Sequence, residues 1–249
     1  RHRRALRALY ADVGSAAAAV ARLMAQPVTP SMLEFMDGDC VRLAREVGGA
    51  DLPEAGALLM IEADGDDAVL DAAVAALTAA ARGPGCLDVA SAPDEAAREK
   101  LWAARKALSP ALRTLAPGKI NEDVVVPVSR IPDLVAAVQR AAAAQSLTIV
   151  SFGHAGNGNL HVNILYDPAD AVQSARAGAA LDDVFDAVIA LGGQVSGEHG
   201  IGLVKRELLA RSLDQATLSL MRAIKSQFDP DGILNPGKVL PPPDTSPSR

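Results

Sequence analysis

The sequence predicts an α+β fold in which an antiparallel sheet is covered by helices. Short apolar runs rich in β-branched residues alternate with longer segments in which apolar residues recur at helical spacing. Two of the short runs flank Asn157-Gly158, a dipeptide typical of the tight turn that joins antiparallel strands. No linker is long enough to divide the 249 residues into two units. We therefore expect one domain over residues 1–240 and a flexible tail over 241–249.

The predicted strands are short, apolar and bounded by turn residues. In chain order they cover 31–36, 57–63, 86–90, 120–127, 147–152 and 159–166. Asn157-Gly158 predicts a two-residue turn, because such a turn requires a positive φ at both central positions. A turn centred there places His154 opposite His161, with Cβ atoms about 4.5–5.5 Å apart. Asn163, two residues after His161, then faces the same side of the sheet.

The predicted helices share apolar positions three and four residues apart. In chain order they cover 6–24, 39–47, 66–81, 94–108, 131–144, 170–191, 201–210 and 214–227. Asp37 and Ser129 are placed to cap the second and fifth of these helices, and Pro110 is expected to disturb the end of the fourth. The basic residues 1–7 are interpreted as the exposed first turn of the first helix.

Composition indicates a globular protein with 49% hydrophobic and 22% charged residues. A net charge of −6 argues against non-specific nucleic-acid binding, which depends on clustered Lys and Arg. The longest apolar stretches, such as 16–20, are far shorter than the ~20 residues of a membrane span. Two cysteines, Cys40 and Cys86, provide no disulfide framework, so we expect a reducing, cytoplasmic compartment.

Three of the four histidines lie in two glycine-rich segments, 153–163 and 196–202. Paired across the hairpin, His154 and His161 are spaced to share one metal ion. Glu198 and His199 are adjacent, and the glycines around them permit the bend that brings both side chains to one cavity. The alternative is that each histidine is an isolated core or surface residue. We favour a site.

Several motifs in the same order resemble one family. They are LEFMD (33–37), WAARK (102–106), EDVVVP (122–127), GHAGNGNLH (153–161), SGEHGIG (196–202) and DPDGILNPGK (229–238). Together they resemble the C-terminal domain of the FAD-linked oxidases, which include D-lactate dehydrogenases, the flavin subunit of glycolate oxidase and D-2-hydroxyglutarate dehydrogenases. The resemblance covers about residues 28–240 and implies a ferredoxin-like split βαβ arrangement. One departure is Asn157, where many members carry Asp; it removes a charge beside the histidine pair but keeps the turn.

The resemblance implies an FAD-dependent enzyme that oxidises a D-2-hydroxy acid to the 2-oxo acid. No segment of this chain reads as strand, glycine-rich phosphate loop and helix, so we expect FAD to be bound mainly by an N-terminal domain outside this chain. D-lactate is the favoured substrate, with D-2-hydroxyglutarate or glycolate as alternatives. An electron acceptor (a quinone, a cytochrome or an electron-transfer flavoprotein) is implied, and it makes a peripheral position at a membrane an alternative to the cytoplasm.

The resemblance also assigns roles to individual residues. His154, His161 and Glu198 are the expected ligands of a divalent ion, Zn²⁺ first, with Mn²⁺ or Fe²⁺ as alternatives. His199 is the expected catalytic base. The remaining assignments are substrate binding by Arg105, Ser109, Lys119 and Asn163, and a place near the flavin for Asn235.

Some of these residues have simpler interpretations. Arg105 is alternatively an exposed arginine on a charged helix face, and Asn235 a turn residue before Pro236. Lys205 and Lys238 are interpreted as solvated or structural. Two functions of other classes also stay open at this point: a flavin-independent metal hydrolase that uses the same His–His–Glu set, and a non-catalytic structural module.

Overall fold

A computed structural model describes residues 2–46, 52–92 and 94–242. Within them, a seven-stranded sheet with only antiparallel pairs runs through the molecule in the order β4-β1-β3-β2-β6-β7-β5. The strands are β1 (His2–Tyr10), β2 (Met32–Asp37), β3 (Ala57–Gly65), β4 (Cys86–Ser91), β5 (Gly118–Val125), β6 (Thr148–Gly153) and β7 (Asn159–Tyr166). The predicted α+β class is confirmed.

Helices connect these strands and cover the sheet. They are α1 (Val13–Ala25), α2 (Gly38–Glu46), α3 (Asp67–Ala81), α4 (Glu95–Ala111), α5 (Ile131–Gln145), α6 (Ala171–Ala190), α7 (Arg206–Ser212) and α8 (Gln215–Phe228). Short 3₁₀ turns occupy Leu112–Thr114, Val128–Arg130 and Ala155–Asn157. Within the described part of the chain, no helix is both long and apolar enough to cross a membrane.

The sheet consists of two split βαβ halves joined edge to edge. The order β4-β1-β3-β2, with α1 and α3 as connections, is the ferredoxin-like arrangement, into which α2 is inserted. β5, α5, β6 and β7 repeat three strands of that pattern, and α6 follows. The halves meet where β2 pairs with β6, through Phe35–Gly153 and Met36–Phe152. His154 follows directly after this junction.

The two faces of the sheet have different environments. One face packs an apolar core under α1, α3, α5 and α6, to which Phe35, Leu59 and Val162 belong. On the other face, α2 and α4 cover an apolar patch that includes Met36 and Phe152. Burial of each such side chain stabilises the fold by about 1.5–3 kcal/mol. The second face also carries polar residues, and these form the site described below.

One row of paired residues crosses four strands on this second face. Met36 on β2 pairs with Phe152 on β6, Phe152 pairs with His161 on β7, and His161 pairs with Asp123 on β5. Directly paired residues on antiparallel strands share a face. The row thus changes from apolar to ionisable across the sheet, and it brings a histidine and a buried carboxylate side by side.

The prediction of one helix over 6–24 was wrong in its first half. Residues His2–Tyr10 form β1, which pairs with β3 on one side and β4 on the other, and only Val13–Ala25 is helical. Asp12 caps that helix, because its side chain accepts a hydrogen bond from the Ser15 amide at 2.8 Å. The basic start is therefore a strand, not a helical turn. Pairing along nine residues with β3 overrides the helical spacing of Ala and Leu.

Three further details differ from the prediction. Ser129 does not cap α5, which begins after a 3₁₀ turn and has Arg130 at its N-cap with no side-chain cap bond. α4 continues through Pro110 to Ala111 before it tightens into a 3₁₀ turn. The helix expected from 201 begins only at Arg206, because the preceding residues form turns.

Other details agree. Asp37 caps α2, since its Oδ1 accepts a hydrogen bond from the Cys40 amide at 3.0 Å. The remaining strands and helices match their predicted ranges to within three residues. Of the predicted tail, 243–249 lies outside the described residues.

The hairpin is confirmed, but its turn is not the predicted one. The observed register pairs Phe152 with His161, two residues away from the predicted pairing of His154 with His161. His154 therefore lies in the connection, which continues through a 3₁₀ turn to Gly158 at φ +76°. Because the displacement is two residues, every side chain keeps its face, and Asn163 still shares the face of His161.

Gly158 has a conformation that a side chain would disturb. A Cβ atom there would lie 1.9 Å from the Val126 carbonyl oxygen, and φ is in the left-handed region. We expect Gly158→Ala to lower the free energy of unfolding by about 2–3 kcal/mol. The matched control is Gly178→Ala in the middle of α6, where no atom lies within 4 Å of the added Cβ. That substitution should stabilise by about 0.5–1 kcal/mol. Urea unfolding of both variants measures the difference, and equal stabilities would contradict the argument.

Candidate metal and substrate site

His154, His161 and Glu198 converge at one end of the β6–β7 hairpin. Their candidate ligand atoms all lie within 4.8 Å of one another, and within the described ranges no other group of His, Cys, Asp and Glu does this. Glu198 Oε1 lies 3.4 Å from His161 Nε2 and 3.9 Å from His154 Nε2. Two imidazole nitrogens and one carboxylate oxygen fit a divalent ion with an open position. The structure brings the predicted trio together; ion binding stays a prediction.

His161 is the buried member of the trio. It stands in the middle of β7 with its side chain 10% exposed, against the rings of Phe152 and His154. Burial, followed by the nearby charge of Arg105, lowers the pKa of His161, so the imidazole is favoured in its neutral form. Neutral imidazole is the form that ligates metals.

Glu34 orients the second histidine, whereas sequence reasoning placed Glu34 only where it could face the flavin domain. The Glu34 carboxylate, only 1% exposed on β2, contacts His154 Nδ1 through Oε1. Its Oε2 accepts a hydrogen bond from Arg105 Nε at 2.8 Å. With Nδ1 engaged by a carboxylate, His154 directs Nε2 toward Glu198 and His161, as in carboxylate–histidine–metal arrangements. A glutamate in an otherwise apolar strand was the available sequence signal.

Asp123 holds the loop that carries Glu198 and His199. Its carboxylate is fully buried and accepts hydrogen bonds from the amides of Gly197, Glu198 and His199, and from the Ser196 hydroxyl. Gly197 permits this close approach, because a Cβ atom there would lie 2.3 Å from Asn159 Nδ2. The predicted bend in the glycine-rich segment is therefore present, and a buried carboxylate fixes it.

Lys205 completes this anchor. It is 4% exposed, its Nζ lies 2.6 Å from Asp123 Oδ1 and 2.9 Å from Glu122 Oε2, and it donates to the Val195 carbonyl oxygen at 2.8 Å. Burial opposes ionisation of Asp123, but the hydrogen bonds from Lys205 and from the loop amides outweigh it, so the pKa of Asp123 lies below its usual value. Of the two interpretations of Lys205, the structural one is confirmed and the solvated one is wrong.

His199 stands beside the trio. Its Nδ1 lies 3.5 Å from Asp123 Oδ1, and its ring stacks on that of His161 with centroids 5.5 Å apart. The side chain is 42% exposed. A carboxylate facing Nδ1 favours the tautomer with the proton on that atom and leaves Nε2 free to accept a proton. This geometry suits a base, and the role stays a prediction.

Arg105 is not an exposed residue on a charged helix face. Its side chain is 11% exposed, and its Cζ lies 4.5 Å above the centroid of the Phe152 ring. Glu34 takes the Nε edge of the guanidinium, while the terminal N–H groups have no hydrogen-bond partner in the described part of the chain. These free donors are arranged as a fork that matches a carboxylate.

Among the described residues, the other predicted substrate residues form no side-chain to side-chain hydrogen bond with this network. Lys119 Nζ donates to Ser109 Oγ at 3.0 Å and to the Ser109 carbonyl oxygen at 3.2 Å. Burial and the charge of Arg113 lower the pKa of Lys119. Asn163 is fully buried; its Nδ2 donates to the Val150 and His161 carbonyl oxygens, and its Oδ1 has no hydrogen-bond partner among the described residues. Their substrate contacts stay predictions.

Asn235 adopts a turn at φ +48°, and its carbonyl oxygen accepts a hydrogen bond from the Lys238 amide at 3.3 Å. The turn lies near the glycine loop, because the Val239 amide donates to the Gly202 carbonyl oxygen at 2.7 Å. The turn interpretation of Asn235 is thus confirmed. A flavin contact by Asn235 stays a prediction.

Comparisons with known proteins identify the family. The family model of FAD linked oxidases, C-terminal domain, matches residues 1–239. The chain is 34% identical over 239 residues to the glycolate oxidase subunit GlcD of Bacillus subtilis (strain 168), a match that covers 96% of this chain and 51% of the relative. It is 30% identical over 233 residues to the probable mitochondrial D-lactate dehydrogenase of Danio rerio. This match covers 93% of this chain and 47% of the relative.

Solved structures show the same fold. The 4-ethylphenol oxidase from Gulosibacter chungangensis, in its isoeugenol complex, matches with a TM-score of 0.71 at 16% identity, over 96% of this chain and 54% of that chain. The present chain spans about half the length of the relatives it matches. It belongs to the FAD-linked oxidase family and forms the C-terminal domain of that family, as the sequence motifs indicated.

Proposed function

We propose that this chain is the substrate- and metal-binding part of an FAD-dependent enzyme that oxidises a short D-2-hydroxy acid, D-lactate first, to the 2-oxo acid. The observation that carries the proposal is the convergence of the His154–His161–Glu198 trio with the exposed imidazole of His199. Family membership favours this function over a flavin-independent hydrolase or a structural module.

The residues divide the chemistry among them. The terminal N–H groups of Arg105 bind the substrate carboxylate, and Nε2 of His199 accepts the proton of the C2 hydroxyl. The trio would hold a divalent ion, Zn²⁺ first and Mn²⁺ or Fe²⁺ as alternatives, and such an ion would lower the pKa of that hydroxyl. Bound FAD supplies the acceptor for the hydride equivalent that leaves C2.

The engagement of Lys119 supports a monocarboxylate. A second, distal carboxylate on the substrate requires another cation, and Lys119 is the residue that the motifs suggest for it. Its ammonium group donates to the Ser109 hydroxyl and carbonyl oxygens, and burial lowers its pKa. The similarity to a glycolate oxidase subunit and to a D-lactate dehydrogenase also favours short acids. D-2-hydroxyglutarate and glycolate are the alternatives.

Exposed apolar side chains support contact with an FAD-binding domain. Between residues 203 and 239 the large exposed apolar side chains are Leu203, Val204, Leu220, Ile224, Phe228, Ile233, Leu234 and Val239. These side chains are concentrated in one segment of the sequence, and exposed apolar side chains are available for contact with the FAD-binding domain. The electron acceptor and the cytoplasmic or membrane-peripheral location stay predictions.

A substrate panel tests this proposal. We expect the FAD-containing protein to reduce an artificial electron acceptor with D-lactate or glycolate at a kcat/KM at least about tenfold above that with D-2-hydroxyglutarate, and to prefer D-lactate over L-lactate. An unmatched second carboxylate is disfavoured more strongly than an extra methylene, which is worth ~1–3 kcal/mol. Preference for L-acids, or no turnover of any 2-hydroxy acid, contradicts the proposal. Efficient D-2-hydroxyglutarate turnover that Lys119→Met removes reverses the order of substrates.

A further inference from the structure

We propose that Glu34 is a positioning residue that couples the candidate metal site to the substrate-binding arginine. The inference rests on the proposed function, because it concerns the same trio and the same Arg105. It adds that ion binding and carboxylate binding are linked through one buried side chain.

The contacts of Glu34 carry this inference. Its two carboxylate oxygens serve two partners: Oε1 contacts Nδ1 of His154, and Oε2 accepts from Nε of Arg105 at 2.8 Å. The carboxylate is 1% exposed, so water does not replace either partner. Glu34 does not engage Nε2 of the His154 imidazole, which faces the trio. It also does not engage the terminal N–H groups of the Arg105 guanidinium, which face the substrate. A change in the position of Glu34 therefore moves both.

Charge gives the coupling a direction. The formal negative charges of the Glu34 and Glu198 carboxylates exceed the single positive charge of the Arg105 guanidinium, so the ion-free group disfavours an anionic substrate. A divalent ion reverses the sign of the group, and the substrate carboxylate then neutralises it. The ion and the carboxylate should each strengthen the binding of the other, as thermodynamic linkage requires.

The neighbouring strand offers a matched control. Glu62 on β3 lies on the same sheet face, is 5% exposed, and binds the same helix α4 through Arg98 at 3.1 Å and Trp102 Nε1 at 2.8 Å. Strand pairing places Glu62 opposite Met32, two residues before Glu34. Among the described residues, no hydrogen bond or ion pair joins Glu62 to His154. Removal of the Glu62 charge therefore measures how much Zn²⁺ affinity changes when a buried carboxylate contact with α4 is lost.

Zn²⁺ affinity of the purified protein, measured by competition with a chromogenic chelator, tests the coupling. We expect Glu34→Gln to weaken Zn²⁺ binding about 10–100-fold, as loss of a carboxylate that orients a ligating histidine does. Glu62→Gln should change it less than about twofold. In the FAD-containing protein, Glu34→Gln should also raise the KM for D-lactate and reduce the gain in D-lactate affinity that Zn²⁺ gives the wild type. Thermal unfolding of both variants separates these effects from loss of the fold.

The outcomes are distinguishable. Wild-type protein that binds no Zn²⁺ overturns the metal part of the proposed function and this inference with it. Wild-type protein that binds Zn²⁺, with Glu34→Gln unchanged, overturns the inference alone. If Glu34→Gln does not fold, the Zn²⁺ affinity of Arg105→Gln tests the coupling instead. Arg105→Gln removes a positive charge near the ion, while Glu34 keeps its contact with His154, so Zn²⁺ should bind several-fold more tightly. The control variant Arg98→Gln should leave Zn²⁺ affinity unchanged. Unchanged or weaker Zn²⁺ binding by Arg105→Gln overturns the coupling.

Discussion

Replacing His161 by alanine is expected to weaken divalent-ion binding by more than about 100-fold and to abolish turnover. His161 supplies one of the three candidate ligands found among the described residues, and its Nε2 lies 3.4 Å from Glu198 Oε1. Loss of a ligand exceeds the 10–100-fold effect of losing a group that merely orients one. His199→Ala should give a different result, with the ion retained and kcat about 10²–10⁴-fold lower, as loss of a general base does.

Elemental analysis after dialysis and reduction of an artificial electron acceptor measure the two effects separately. His2→Ala is the control for histidine loss, because the His2 side chain is 61% exposed at the start of β1 and its one charged partner among the described residues is Asp67 at 3.6 Å. Thermal unfolding checks that His161→Ala keeps the fold. Unchanged ion content in both His154→Ala and His161→Ala contradicts the metal site, and loss of the ion in His199→Ala contradicts the assignment of His199 as a base.

The predicted proximity of the trio did not depend on the exact register of the hairpin. Two histidines flank a tight connection, so they approach each other whether the turn has two residues or five. The exact turn depends on contacts that no local pattern contains, such as the hydrogen bond from the Val126 amide to the Gly158 carbonyl oxygen. The prediction of proximity was therefore confirmed, while the predicted cross-strand pairing was wrong.

The supporting carboxylates were not assigned because they come from distant strands. Glu34 is 120 positions from His154, and Asp123 is 76 positions from His199. Only the junction of β2 with β6, and the pairing of β5 with β7, bring them to the site. For Glu34 the available signal was a charged residue between apolar residues of β2, which indicates a paired charge but does not name the partner. Asp123 had no such signal, because β5 also carries Lys119, Asn121 and Glu122.

β1 shows the same limit for secondary structure. Its Ala and Leu residues fit helical spacing, and helix propensity favours them. The segment is a strand because it lies between β3 and β4, where its backbone groups are paired on both sides. Local propensity is a weak prior when a strand is central in a sheet.

Replacing Asp123 by asparagine should have the largest effect on stability, lowering the free energy of unfolding by about 3–5 kcal/mol. The substitution leaves the Lys205 ammonium buried with one of its two carboxylate partners removed, and breaking a buried ion pair from one side costs this amount. It also presents an amide N–H₂ group or a weaker acceptor to the loop amides of residues 197–199. We expect the loop to lose its fixed conformation, and ion affinity to fall with it.

Two comparisons make this prediction specific. Asp88→Asn breaks an ion pair with Arg7 of 3.1 Å in which the aspartate is 48% exposed, and it should cost no more than about 1 kcal/mol. Asp123→Asn combined with Lys205→Met removes both members of the Asp123–Lys205 contact, so the double variant should be more stable than the sum of the single losses predicts. Urea unfolding of the set measures the coupling between the two residues. Additive losses, or an Asp123→Asn variant as stable as Asp88→Asn, would show that the buried pair does not hold the loop, and Glu198 and His199 would then depend on the glycine turns alone for their positions.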